Sequence, residues 1–285
     1  MRLYTIETNG MAKVAVGMDD AMYMVDSFGV DVRDMNELIC NWSQLGDVIR
    51  QKLANVDVPL VTNYKILAPI IRPLQDVVCL GVNYREHVEE TADVLDFSKK
   101  TATVYFSKRV NKCTAPGDVI PDYGFVDKLD YEVELGVILG RDAFRVDVES
   151  ADDYIFGYTI INDVSARDIQ LKHQQWYFGK SLDGYTPMGP CIVTADEIDN
   201  VHDLDITCYV NGEKRQSSNT GYMITTVEEA IAELSQGMTL SAGTVIATGT
   251  PGGVGMGMKP PVYLESGDVV RCEIENIGVL ENTVE

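Results

Sequence analysis

Basic residues are scarce in this chain. Lys and Arg number 23 against 44 Asp and Glu, for a formal charge of −21. A protein that grips nucleic-acid backbones needs a basic surface, so nucleic acid is excluded as a partner. Anionic membranes are disfavoured for the same reason. Uninterrupted apolar runs are short, so none can span a bilayer. The opening MRLYTIETNG lacks a basic stretch followed by an apolar core, so no signal peptide is expected. The six cysteines are scattered, with no CxxC pair and no Cys/His cluster of zinc spacing. Reduced thiols and a cytoplasmic location follow as expectations. There is no GxGxxG and no phosphate loop ending in Lys-Ser/Thr, which argues against nucleotide binding. Repeats and low-complexity segments are also missing.

What is present is an ordinary globular composition, 45% hydrophobic and 24% charged over 285 residues. Residues 1–70 differ from the rest. Val14–Gly17 and Met22–Val25, split by Asp19-Asp20, suggest a hairpin. Asn36–Leu53 carries apolar residues on one helical face. A Pro-punctuated linker, Pro59 to Pro73, follows. This reads as a small N-terminal α/β domain before a larger domain, 71–285. From Val77 onward strand signals dominate, among them Val104–Phe106, Val133–Leu139, Tyr154–Ile161 and Val269–Ile274. Two helices are expected, Tyr84–Thr91 and Val227–Ser235, the second with Thr226 and Glu229 placed for a capping box. The fold class is α+β, predominantly β.

The strongest chemical signal is Asp130-Tyr131-Glu132-Val133-Glu134-Leu135. Residues two apart on a strand share a face, so Glu132 and Glu134 project together, opposite Tyr131, Val133 and Leu135. Paired carboxylates repel unless one is protonated or a hard cation such as Mg²⁺ or Mn²⁺ lies between them. An exposed edge strand gives the same pattern. Asp163 ends an apolar strand, and in a helical turn Asp163, Arg167 and Gln170 would share a face at i, i+4 and i+7. Glu90 falls three residues after His87, where a carboxylate can orient an imidazole as general base; a chance surface pair reads the same. His173 and His202 lack comparable neighbours. Lys180 precedes a Pro/Gly-rich run suited to fixing one ammonium, or is a surface lysine. Glycines in Thr248–Gly255 can let backbone N–H groups approach a ligand carboxylate.

In order along the chain, LGVNYREHVEE, DYEVELGVILGRDA, GYTIINDVSARDIQ, FGKSLDGYTPMGP, VNGEKRQSSNT and IATGTPGGVG resemble the fumarylacetoacetate hydrolase family. The resemblance is clearest over residues 70–285. It implies mixed β-sheets rolled or sandwiched around the site, a homodimer, and a divalent metal, Mg²⁺ or Mn²⁺, held by Glu132, Glu134 and Asp163. It implies a lid helix carrying the His87–Glu90 dyad, with Tyr84, Arg167, Gln170 and Thr250 meeting substrate and Lys180 acting in catalysis. Glu86 and Gly184 depart from the family, where Asp and Thr are common. The implied substrate is a small anionic 2-oxo acid. The expected reaction is C–C hydrolysis of an acylpyruvate-like 2,4-dioxo acid, with His87 activating water and Lys180 stabilising the oxyanion. Alternatives are decarboxylation of oxaloacetate, isomerisation of a 2-hydroxydiene-dioate such as 2-hydroxyhepta-2,4-diene-1,7-dioate, and a non-catalytic metal-stabilised binding module. Lys108, Arg109, Arg72 and Lys112 are candidates for a second substrate carboxylate, or plain surface charge.

Overall fold

A computed structural model of the chain describes residues 1–18, 21–93 and 102–285. Its strands in chain order are β1 (Arg2–Thr8), β2 (Met11–Met18), β3 (Ala21–Met24), β4 (Lys65–Leu67), β5 (Val77–Gly81), β6 (Val104–Lys108), β7 (Val119–Ile120), β8 (Leu129–Asp130) and β9 (Val133–Leu139). Then come β10 (Ile155–Asn162), β11 (Ser165–Ala166), β12 (Met188–Thr194), β13 (Asp205–Val210), β14 (Glu213–Asn219), β15 (Val245–Ala247), β16 (Val269–Ile274) and β17 (Gly278–Val284). The α-helices are α1 (Met35–Cys40), α2 (Trp42–Leu53), α3 (Arg85–Glu90), α4 (Arg167–Lys172), α5 (Tyr177–Lys180) and α6 (Val227–Ser235). The fold is mixed α+β and mostly strand, as expected.

A ten-stranded sheet runs β3-β2-β1-β12-β10-β9-β15-β5-β6, with β4 paired to β1. A five-stranded sheet runs β14-β13-β16-β17-β7. β9 and β10 are buried along their whole length because both faces of the large sheet are covered. Val133, Leu135, Val137 and Leu139 face a core shared with Ile206, Cys208, Val270 and Leu280 of the smaller sheet. Ile138, Phe156 and Ile161 instead join a second core with Leu38, Ile39 and Ile49 of α1 and α2. That period-2 division sends Glu132 and Glu134 away from Tyr131, Val133 and Leu135.

β2 and β3 pair antiparallel as the expected hairpin does, and Asp19 and Asp20 lie outside the described residues. Two readings need correction. The helix expected over Asn36–Leu53 breaks at Asn41, whose side-chain amide bonds to the Glu37 carbonyl at 2.8 Å and competes with the backbone ladder. The Pro59–Pro73 linker holds β4, paired with β1. β1 also pairs with β12 through Arg2↔Val193, so the large sheet continues across position 70.

The capping box of α6 forms between Thr226 and Glu229. Beside it, His202 has the partner that the sequence did not reveal, Glu228 Oε1 at 2.8 Å from Nε2. The bond to Glu228 raises the His202 imidazole above its ordinary 6.5 against partial burial. Burial works to raise Glu228, but the bond from His202 wins and brings it to about 2. His202 therefore contributes fully below pH 6.5 and less as pH rises through its folded value. Glu228 contributes fully above its ordinary 4.5 and less as pH falls toward 2. Thermal unfolding of H202Q is expected to show its largest Tm deficit between about pH 4.5 and 6.5. A deficit equal at all pH values would contradict this ion pair.

Candidate active site

Glu134 is on β9 and Glu132 immediately precedes it; β9 lies between β10 and β15, so the edge-strand alternative is overturned. Glu132 and Glu134 are 4% and 1% exposed. Asp163 follows β10, and its N–H donates to the Glu132 carbonyl at 2.8 Å. Each of the three offers a carboxylate oxygen within 4.8 Å of the others. Among the described residues this is the one such acid, His or Cys group that can hold a metal ion.

Three buried cations answer these acids. Lys180 Nζ bridges Glu132 Oε2 at 2.5 Å and Asp163 Oδ2 at 2.7 Å. It stands on α5 and is 2% exposed, so it is no surface lysine. Arg167 spreads its fork over three partners: Nε to Asp130 at 2.8 Å, one terminal nitrogen to Glu132 at 2.6 Å, the other to Gln170 Oε1 at 3.1 Å. Lys108, at the end of β6, reaches Asp163 and the carbonyls of Val164 and Tyr185. Charge-assisted bonds of this kind are short and strong in a dry interior.

These pairings set the acids apart. Burial works to raise Glu132, yet Arg167, Lys180 and His87 overcome it and hold the carboxyl well below the usual range. Burial, with Asp163 and Glu132 close by, pushes Glu134 well above it. Burial opposes the charge on Lys180, but Asp163 and Glu132 outweigh it and keep the ammonium above its ordinary value.

The His87–Glu90 dyad forms on α3, with Nδ1 2.8 Å from Glu90 Oε1 and both groups largely buried. Glu90 Oε2 accepts the Gly253 N–H at 2.7 Å. The glycine-rich segment thus grips the protein's own acids, where a ligand carboxylate was expected. Gly249 N–H donates to Glu134 and Gly255 N–H to Asp130, both at 2.8 Å.

One cavity of about 20 Å³, room for a single water, is lined by His87, Glu132, Glu134, Arg167, Gln170, Lys180 and Thr250. Leu80, Gly81, Val82, Phe106 and Trp176 complete its wall. The structure therefore gathers the residues singled out in the sequence, though not by the expected route. Ser165–Ala166 is a strand and the helix begins at Arg167, so Asp163 pairs with lysines and Arg167 with Asp130 and Glu132. Thr250 donates its hydroxyl to the Val133 carbonyl and accepts from Gln216. Tyr84 is fully buried at the start of α3, its hydroxyl without a hydrogen-bond partner among the described residues.

Sequence reasoning missed Asp130 and Trp176, and misread Lys108. Lys108 is 1% exposed and anchors Asp163, while Arg109, Arg72 and Lys112 are exposed. Glu86 is exposed on α3. Gly184 has φ +83°, and a Cβ there would lie 2.3 Å from Pro121 Cδ. Threonine would be strained at this turn.

The family model for the C-terminal domain of fumarylacetoacetate (FAA) hydrolase matches residues 76–285. The chain belongs to this family. Among curated relatives, oxaloacetate tautomerase YisK of Bacillus subtilis (strain 168) is 43% identical over 225 residues, covering 79% of this chain and 74% of that protein. Among solved structures, the fumarylacetoacetate hydrolase from psychrophilic Exiguobacterium antarcticum has TM-score 0.88 at 40% identity, covering 100% of this chain and 99% of that one. Maleylpyruvate hydrolase from Sphingobium sp. SYK-6, solved with manganese(II) and pyruvate, has TM-score 0.80 at 26% identity, covering 100% and 98%. The chain is a fumarylacetoacetate hydrolase-family enzyme.

The acid cluster fits a divalent metal. Its donors are all hard oxygens, and the raised Glu134 marks a focus of negative charge that a cation relieves.

Proposed function

We propose that the protein interconverts the enol and keto forms of a compact 2-oxo dicarboxylic acid of the oxaloacetate class. Mg²⁺ or Mn²⁺ would be held by Glu132, Glu134 and Asp163. The carrying observation is the arrangement across one small cavity. A carboxylate-oriented imidazole meets a cluster of acids and cations there, with Lys180 and Arg167 buried beside the acids. The tautomerase relative is 43% identical and supports this reading.

When bound, the metal would polarise the 2-oxo group and favour its enolate form. The protein's own residues supply the rest. Glu90 engages His87 Nδ1, leaving Nε2 to exchange a proton with the substrate carbon next to the carbonyl. Ketonisation adds one proton at that carbon and removes one from the enol oxygen, so no other reactant is consumed. Lys180 and Arg167 offset negative charge on the substrate oxygens. Gln170 has turned its carbonyl to Arg167, which leaves its amide N–H groups to donate into the cavity.

A second reading is C–C hydrolysis of an acylpyruvate. It is favoured by a cavity of one water's size beside His87, the geometry a general base needs to activate water.

The two readings separate in one panel. Enolic oxaloacetate and a set of acylpyruvates are followed by enol absorbance and by pyruvate release, with Mg²⁺ and then with chelator. The expected outcome is metal-dependent enol loss with no pyruvate formed. Pyruvate as the main product from an acylpyruvate would replace tautomerisation with hydrolysis, and turnover indifferent to chelator would remove the metal.

A further inference from the structure

Asp130 ends β8, two residues before Glu132, and stands outside the acid group that can hold a metal. It is nevertheless fully buried. A buried carboxylate is costly unless donors surround it. Four N–H groups do so here. Oδ1 accepts from the Tyr131 N–H at 3.0 Å and the Gly255 N–H at 2.8 Å. Oδ2 accepts from the Met256 N–H at 3.0 Å and from Arg167 Nε at 2.8 Å. All the donors but Arg167 are backbone groups, held by the strand and by the glycine-rich segment. That segment can come so close only with glycine at 255, where a Cβ would lie 2.1 Å from the Val262 carbonyl oxygen and 2.8 Å from Asp130 Oδ1. The Tyr131 hydroxyl adds a further tie, donating to the Gly253 carbonyl at 2.9 Å. Asp130 is thus a fixed acceptor, built by two stretches of chain 125 residues apart.

The one side chain it grips is the guanidinium that lines the cavity with His87 and Lys180. A long arginine side chain has many rotamers to lose, so its orientation needs an anchor. Pinning Nε fixes the plane of the fork, while Glu132 and Gln170 meet its two ends. Glu132 is a shared partner: Lys180 also claims it at 2.5 Å, and it belongs to the acid group that fits a metal. Asp130 has no such competitor, since Arg167 is the only cation paired with it among the described residues. We infer that Asp130 is a positioning residue that acts through Arg167, holding the guanidinium in the plane that receives an oxygen of the bound 2-oxo acid. This rests on the proposed 2-oxo acid chemistry, and it names the residue that orients the receiving group.

A double-mutant cycle separates positioning from a merely structural role. Full-length wild type, D130N, R167K and the double variant, each with saturating Mg²⁺, are titrated with pyruvate by calorimetry. D130N keeps the side-chain shape but turns an amide N–H₂ toward groups that can only donate, so one pair of donors loses its acceptor. Pyruvate affinity should fall by about tenfold or more in D130N. In the R167K background the same substitution should cost less than about twofold, because members of one network do not add. An equal loss in both backgrounds would overturn the inference, since Asp130 would then act only by supporting the fold. If D130N does not fold, the wild type decides. Its Arg167 Nε–H, assigned by NMR through its loss in R167K, is expected to exchange slowly with solvent and to shift when pyruvate is added. A rapidly exchanging signal, or one that pyruvate leaves unmoved, would overturn the inference. Enol turnover is a separate readout: a wild type that binds pyruvate but shows none would remove the tautomerase reading, and the affinity cycle would still decide the role of Asp130. A wild type that does not bind pyruvate would overturn both.

Discussion

Replacing Lys180 by methionine is expected to lower kcat/KM by about 10³-fold and to destabilise the metal-free protein by about 3–5 kcal/mol. Both effects have one cause. Lys180 is 2% exposed, and its ammonium joins Glu132 to Asp163 at 2.5 and 2.7 Å. Methionine fills the volume but leaves those two carboxylates buried with less compensation, and stranded buried charge is costly. Arg167 still reaches Glu132 and Lys108 still reaches Asp163, so collapse of the fold is not expected. Saturating Mg²⁺ should restore part of the lost Tm, because a dication placed among the acids replaces the missing charge. It should not restore kcat, since the metal cannot stand in for the ammonium at the substrate. Denaturant melts with and without Mg²⁺, read beside steady-state kinetics, check both statements. A variant as stable as wild type without metal would contradict the charge network described for the site.

His87→Gln should separate chemistry from binding. Glutamine keeps a polar group beside Glu90 but cannot carry a proton through two ring nitrogens. A loss of about 10²- to 10⁴-fold in kcat is expected, with KM changed little, because positioned acid–base groups contribute on that scale. Stability should hold, since Glu90 keeps its bond from the Gly253 N–H. Glu90→Gln should act in the same direction but less, as it weakens the orientation of the ring without removing it. Retention of full turnover by H87Q would place the proton transfer elsewhere.

Much of this was written locally in the chain. β9 and β10 are legible because both are rich in Val, Ile, Leu and Tyr, the residues that a strand covered on both faces requires. The Glu132–Glu134 pair follows from the two-residue period of that strand. The dyad follows from the three-residue spacing on α3, and the cap of α6 from Thr226 and Glu229. What was hidden depends on distant partners. Lys108 lies 55 residues from Asp163, and only the approach of β6 turns an unremarkable strand-end lysine into a buried anchor. Asp130 meets Gly255 and Met256 across more than a hundred residues. His202 and Glu228 are 26 residues apart and joined only by folding. β14 reads Glu-Lys-Arg-Gln-Ser-Ser-Asn, without apolar alternation, because it is an edge strand whose one buried residue is Gln216. β17 hides its alternation behind Asn282, a buried amide that serves the carbonyls of Ala115 and Asp118. Trp176 offered no spacing signal at all. It meets Gly81, at the end of β5, only through folding.

The charge balance gains meaning from the same details. The chain carries −21 overall, yet the proposed substrate is an anion. The field of the whole protein therefore does not draw it in. On the proposed reading, binding would depend on Lys180, Arg167 and a metal that turns a cluster of acids into an anion receptor. Metal-free protein should bind 2-oxo acids weakly for this reason.

The central claim is that a metal on Glu132, Glu134 and Asp163 and the proton-carrying His87 together ketonise a small enolic 2-oxo acid. The most direct measurement is the decay of enolic oxaloacetate absorbance with chelated protein, with the same protein after Mg²⁺ or Mn²⁺ is added back, and with metal-loaded H87Q. The expected result is rapid decay only for the metal-restored wild type. Equal decay in all three samples, or none in any, would contradict the account.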